Sequence, residues 1–133
     1  MVAKIFEWPV RVYFEDTDSG GVVYHANYLN FMERARTEWL RSLGIDQRLL
    51  KIEENIIFVV YQILIKYIKP AVFNDNLLIT TQVEAVGASR VKLIQTIMNE
   101  GRILTSANVD VACIDAQKFK AKRIPNNIKQ LME

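Results

Sequence analysis

The 133-residue sequence holds one cysteine, Cys113, and one histidine, His25. A disulfide needs two cysteines, and a structural zinc site draws several ligands from Cys and His, so neither is expected. A lone thiol with nothing to bridge fits a reducing compartment, and the expected location is cytoplasmic. Long apolar runs are missing too. Nowhere do about 18 apolar residues follow one another, so no stable membrane insertion is expected. Residues 1–9 lack the apolar run of a signal peptide. Charge of one sign is scarce: the net charge of +2 is too small to argue for a nucleic-acid partner. No Gly-x-Ser-x-Gly elbow and no phosphate-cradling glycine motif occurs. Repeats, low-complexity stretches and linkers are absent, so one domain over residues 1–133 is expected.

Half of the chain is apolar, enough for a core. A chain this short still buries only about two-thirds of its unfolded surface, so a second subunit would help cover it. Phe6, Trp8, Val10, Val12 and Phe14 alternate with Glu7, Pro9, Arg11 and Tyr13, the period of a strand. Pro9 has no N–H and puts that strand at a sheet edge or a bulge. Turn formers follow, Asp16-Thr17-Asp18-Ser19-Gly20-Gly21. Tyr28, Phe31, Met32, Ala35, Trp39 and Leu43 then recur at helical spacing, with Glu33, Arg34, Glu38 and Arg41 on the other face. This predicts an amphipathic helix of about four turns. Gly44 suits its left-handed C-cap, and Asp46 suits the N-cap of a shorter helix reaching about Glu53.

Strand patterning resumes at Ile56. Tyr61, Ile63, Ile65 and Tyr67 fall on one side before Pro70. Leu77 to Ala85, Val91 to Ile97 and Ile103 to Cys113 read as further strands, parted by turns at 87–89 and 99–102. The expected order is a strand, a long helix and four strands in a meander, an α+β domain. The tail from Gln117, with Lys118, Lys120, Lys122 and Arg123, reads as basic and solvated.

Polar residues concentrate between Glu15 and Asn27, where a strand hands over to a helix. A helix start carries unpaired N–H groups and partial positive charge, which can hold a carbonyl oxygen or an oxyanion. A helical turn beginning near Tyr24 or His25 could supply those groups. Asp18 could then reach the carbonyl carbon or a water beside it, and Gly20 and Gly21 would allow close approach to the backbone. The same residue types also serve as ordinary turn and cap residues, and the residues by themselves leave both readings open. Asp16 reads as a turn residue, and His25 also suits a hydrogen-bonded loop position.

One long motif narrows the choice. Arg11-Val12-Tyr13-Phe14-Glu15-Asp16-Thr17-Asp18-Ser19-Gly20-Gly21-Val22-Val23-Tyr24-His25-Ala26-Asn27-Tyr28, followed by Phe31-Met32-Glu33-Arg34-Ala35-Arg36-Thr37-Glu38-Trp39, closely resembles the 4-hydroxybenzoyl-CoA thioesterase family of hot-dog proteins. Within it, the sequence is most similar to the Tol-Pal-associated acyl-CoA thioesterase branch. The resemblance implies a curled five-stranded antiparallel sheet wrapped around one long helix. It implies acyl-CoA hydrolysis in a homodimer or homotetramer with sites between subunits. Asp18 takes the place of the family's catalytic aspartate. His25 takes the place of the backbone amide that holds the thioester oxygen, and of a histidine side chain implicated nearby. Phe14 departs from the pattern, because close relatives often carry a tyrosine there.

No metal or organic cofactor is implied, since a thioester is already electrophilic and a thiolate leaves readily. Tyr24 joins Gly20 and Gly21 among the expected substrate contacts. Ser89, Arg90 and Lys92 are candidates for the CoA phosphates, with an exposed charged sheet edge as the alternative reading. An acyl carrier protein is a further candidate partner. Rival functions are a hot-dog dehydratase or hydratase and a non-catalytic acyl-carrier or membrane-complex adaptor.

Overall fold

The computed structural model describes residues 4–133. Residues 1–3 of the stretch searched for a leader lie outside the described residues. Strand β1 (Ile5–Arg11) turns Phe6, Trp8 and Val10 toward the core. The alternation stays in phase to Val12, which is fully buried, but ladder pairing ends where Arg11 meets Asn76. A 3₁₀ turn over Phe14–Asp16 follows, and Phe14 is 76% exposed. The expected strand therefore ran too far, because turn chemistry overrides a two-residue period within a few positions.

Helix α1 (Asn27–Ser42) buries Tyr28, Phe31, Met32, Ala35, Trp39 and Leu40. This is the predicted apolar stripe, and it lies against β1 and against the strand over Asn76–Val86. The helix ends in a Schellman arrangement: Ile45 N–H donates to Leu40 C=O and Gly44 N–H to Arg41 C=O, both at 3.0 Å. Gly44 sits at φ +82°. Asp46 caps α2 (Gln47–Glu54), accepting from Arg48 and Leu49 N–H at 3.0 and 3.1 Å.

Strands β2 (Ile56–Tyr67), β3 (Asn76–Val86), β4 (Arg90–Asn99) and β5 (Arg102–Asp115) complete a five-stranded antiparallel sheet in the order β1-β3-β4-β5-β2. β3, β4 and β5 form a meander. The expected four-strand meander fails at β2, which pairs with β5 rather than β3. The connection at residues 68–75 carries the chain from one edge of the sheet to beside the other. β1 and β2 are the edges, which accounts for Pro9 on β1. A bulge at Tyr61 shifts the phase of β2. Ile56 and Phe58 face inward before it, Ile63 and Ile65 after it, so Tyr61 does not share their side as expected.

The 99–102 turn holds Glu100 at φ 49° and Gly101 at φ 78°, the type I′ geometry that suits sheet twist. Gln95, fully buried on β4 between Leu93 and Ile97, is a polar core position the apolar pattern passed over. Lys118, Lys120 and Arg123 are exposed as expected, but the tail beyond them departs from expectation. It folds back as α3 (Asn126–Met132), burying Ile124, Ile128 and Met132. Among the described residues no helix is long and apolar enough to cross a membrane.

Gly44→Ala should cost about 1 kcal/mol, because an L-residue there must adopt the left-handed conformation. Its Cβ would meet nothing within 4 Å, so the loss comes from the backbone alone. Gly87→Ala, without positive φ and with its nearest contact at 3.5 Å, should melt within about a degree of wild type. Thermal denaturation of the two variants checks this, and equal losses would refute it.

Candidate active site

The loop between β1 and α1 is built around Asp16. Its carboxylate is buried, accepting from Tyr13 N–H at 2.8 Å and from the Asn27 amide at 2.6 Å. Its own carbonyl accepts from Tyr24 N–H at 2.9 Å. One residue thus ties both ends of the loop and the first residue of α1 together. The turn reading of Asp16 is borne out, with burial added.

Inside that clasp Asp18 is exposed. Its Oδ1 accepts from Gly20 N–H at 2.8 Å, and its carbonyl accepts from Gly21 N–H at 3.0 Å. Among the described residues no other group hydrogen-bonds the Asp18 carboxylate, so Oδ2 faces solvent or a ligand. Both glycines have a local reason to be there. A Cβ on Gly20 would stand 3.2 Å from Asp18 Oδ1, and Gly21 has φ +80°.

The helix begins one turn further on. Tyr24 N–H is taken by Asp16, so it is not the free donor expected near Tyr24. The Tyr24 carbonyl accepts from Asn27 N–H at 2.8 Å, which points the other end of the same peptide, the His25 N–H, outward. That N–H has no hydrogen-bond partner among the described residues. Tyr67 Oη donates to the His25 carbonyl at 2.8 Å and fixes the next peptide. The His25 ring lies 4.6 Å from the Tyr24 ring and 6.4 Å from the Tyr67 ring, centre to centre. Sequence periodicity placed Tyr67 only on a strand, and its contact with His25 needed the β2 register.

A hollow of about 250 Å³ opens here, lined by Val23, His25, Tyr28, Tyr67, Ile68 and Pro70 among others. Val22 also lines it, and Asp18 N–H donates to the Val22 carbonyl at 2.9 Å, so Asp18 belongs to the adjoining rim. Tyr28 Oη accepts from Ala71 N–H at 3.0 Å, and Ala71 C=O accepts from Val23 N–H at 2.9 Å. Burial raises the Tyr28 phenol above its usual range; the Ala71 hydrogen bond opposes this, while the charges of Asp18 and Asp75 add to it. Burial likewise raises Tyr67. Both phenols therefore stay protonated around neutral pH. Phe14 makes an edge-to-face pair with Phe73 at 5.9 Å beside this loop.

The other candidates lie elsewhere. Ser89 ends the 87–89 turn, and its carbonyl accepts from Cys113 N–H at 2.7 Å. Arg90 and Lys92 are exposed on β4, an interior strand, so the sheet-edge reading is overturned. The Arg90 guanidinium lies 4.8 Å over the Tyr61 ring, and Lys92 stands opposite Asp110. Strand β3 separates these residues from Asp18. The Asp18 loop follows Arg11, which pairs with Asn76, while Arg90 follows Val86 across a tight turn. At about 3.4 Å per residue that is roughly 30 Å. Within one chain Arg90 and Lys92 do not meet Asp18. Among the described residues no group of three or more His, Cys, Asp or Glu could hold a metal.

A curled five-stranded antiparallel sheet wrapped around one long helix defines a hot-dog fold. Residues 12–132 match the thioesterase-like superfamily, and the chain belongs to it. It is 45% identical over 129 residues to the acyl-CoA thioesterase YbgC of Haemophilus influenzae, covering 97% of this chain and 95% of that one. It is 43% identical over 129 residues to the acyl-CoA thioester hydrolase YbgC of Escherichia coli O6:H1, covering 96% of each. A probable thioesterase from Bartonella henselae superposes with a TM-score of 0.87 at 36% identity, covering 92% of this chain and 100% of that one. The family resemblance and the fold read from the sequence are borne out.

Asp16→Asn should lower the melting point more than Asp18→Asn. An amide in place of the buried carboxylate sets N–H against the Tyr13 or Asn27 donor, a loss of about 1–3 kcal/mol. Exposed Asp18 gives up one hydrogen bond. Parallel calorimetry decides, and a larger loss for Asp18→Asn would overturn these structural roles.

Proposed function

We propose that this protein hydrolyses acyl-CoA thioesters to the free acid and CoA. The observation that carries the reading is the pairing of a solvent-facing Asp18 carboxylate with the unpaired His25 N–H, in a chain of near full-length similarity to acyl-CoA thioesterases. The thioester oxygen accepts from His25 N–H, which develops its full strength as charge builds on that oxygen. Asp18 either takes a proton from the attacking water or attacks the carbonyl carbon itself. The second route gives a mixed anhydride and thiolate, and water then completes the reaction. After one turnover in ¹⁸O-water, label in the Asp18 carboxylate marks the anhydride route. Gly20, Gly21 and Tyr24 shape the approach to the carbonyl.

Phe14 has no hydroxyl, so no proton passes through that position. The phenols near the site, Tyr67 and Tyr28, hold backbone groups instead. The assay is simple. Acyl-CoAs are offered with a thiol-detecting disulfide reagent, and CoA release reads turnover. Cys113 does not interfere: it is fully buried, and burial pushes its thiol up to about 11. A panel of chain lengths sets the acyl preference. Binding without CoA release would favour an adaptor instead.

Asp18→Asn should lose on the order of 10²-fold in kcat, the usual scale of a general base. His25→Ala should lose less, because the backbone N–H survives. Near wild-type turnover in Asp18→Asn, or an equal defect in His25→Ala, would overturn these assignments.

Arg90 and Lys92 reach the phosphates of a CoA whose thioester lies at Asp18 only from a second subunit, so the working enzyme is at least a dimer. Light scattering at low micromolar concentration should give a mass of twice 15.4 kDa or more. A fully active monomer would refute the shared site.

Arg90→Ala combined with Lys92→Ala should raise KM for acyl-CoA and leave kcat nearly unchanged, since contacts far from the thioester hold ground and transition states alike. An acyl-N-acetylcysteamine, which lacks the phosphates, should be barely affected, and the KM effect should shrink at high salt. Equal losses on both substrates would assign the two residues to the fold.

A further inference from the structure

A second cavity, of about 260 Å³, lies at the end of the sheet away from Asp18, between the C-terminal half of α1 and the sheet. Trp39, Phe58, Leu93 and Val111 make apolar walls, and Arg36 and Glu33 supply the polar end. Nothing in the hydrolysis scheme uses it. Val91 and Leu93, which line it, lie on the inner face of the sheet beneath Arg90 and Lys92.

Arg36 is the unusual element. Its side chain is half-buried, and Nη1 donates to Gln95 Oε1 at 2.9 Å. Gln95 is fully buried and held in place: its Nε2 donates to Met32 C=O at 3.1 Å and to Thr81 Oγ1 at 2.9 Å. The guanidinium is therefore positioned by a fixed but neutral amide. Among the described residues it makes no other hydrogen bond and no ion pair; the one ion pair joins Arg41 to Glu38. Glu33 lines the same cavity without reaching ion-pair distance. Burial lowers the Arg36 pKa, and the Glu33 charge opposes that in part.

A guanidinium has five donors, and leaving most of them unmatched in a partly buried apolar setting is costly. The cost is recovered when an anion with two oxygens meets the guanidinium fork. Glu33 at the same end argues against a dianion such as a phosphate monoester. A cavity of roughly 150 Å³ holds benzene, so about 260 Å³ suits a short alkyl or aryl body.

We propose that this cavity binds a small amphipathic monocarboxylate, its carboxylate on Arg36 and its apolar body against Trp39, Phe58, Leu93 and Val111. Acids of this class are what the proposed hydrolysis releases, which makes the cavity a second product site. The binding itself does not depend on turnover.

Calorimetric titration of the intact protein with hexanoate and with neutral hexanamide tests this. Wild type should bind hexanoate at least tenfold more tightly than hexanamide. Arg36→Leu should erase that preference, and Arg36→Lys should keep part of it. Val60→Trp, which fills the cavity from its 39% exposed rim, should weaken both ligands and needs no core rearrangement. Hexanoate binding that survives both Arg36→Leu and Val60→Trp would place the acid elsewhere and overturn the proposal. So would no hexanoate binding by wild type. A change of oligomeric mass in Arg36→Leu with hexanoate binding intact would assign Arg36 to a subunit contact instead.

Discussion

The Asp16 carboxylate is the constraint on which the candidate site depends. It accepts from the backbone where β1 ends and from the Asn27 side chain where α1 begins, and its carbonyl holds Tyr24. A strand and a helix meeting at an angle would leave this loop free to sample many conformations. The buried carboxylate selects one, at the cost of desolvating a charge, which its hydrogen bonds offset. Asp18 and the His25 peptide take their directions from that single closure. The residue proposed to carry the chemistry, Asp18, is exposed, and Asp16, which fixes its loop, is buried two positions earlier. Each needs a carboxylate, for opposite reasons.

A second polar feature crosses the core. Gln95 on β4 reaches Thr81 on β3, the Met32 carbonyl on α1 and the Arg36 guanidinium. A helix resting on a sheet by apolar contact alone can rotate or slide at little cost. Directional bonds from one side chain to two elements pin α1 in register, and with it the helix start that carries His25. The same bonds fix Arg36 over its cavity. Thr105, also buried, keeps a hydroxyl without a partner among the described residues. Polar content inside the sheet therefore specifies position where apolar area supplies cohesion.

Much of this was legible before any coordinates. The α1 stripe, Gly44 as C-cap, Asp46 as N-cap and the 99–102 turn follow from rules that act over four residues or fewer, and each was found where expected. What failed was non-local. The pairing of β2 with β5 depends on how residues 68–75 cross between sheet edges, which no local pattern encodes. The bulge at Tyr61 reverses the facing of β2 without leaving a glycine or proline to mark it. α3 was not legible, because it is one short helix whose three buried anchors, Ile124, Ile128 and Met132, follow a lysine-rich stretch. At the site, Asp18 and His25 were legible through a long motif. Tyr67 was not, because its contact with His25 joins residues 42 apart in sequence.

Strand topology also decides how the remaining candidates relate. Arg90 and Lys92 share a hairpin end with the Arg36 cavity, on the opposite face of β4, and both lie a full strand length from Asp18. A side chain spans only a few ångströms, so no rotamer change closes that gap inside one protomer. A CoA thioester, by contrast, is long enough to join a reacting carbon to distant phosphate contacts, but only along a continuous surface. In a single copy that surface would have to follow the curl of the sheet from end to end. A second copy, set with its Arg90 end against the first copy's Asp18 end, brings the two within reach of one substrate. The self-association proposed for this chain therefore follows from the length of β3, and the weak surface-to-volume ratio of a short chain points the same way.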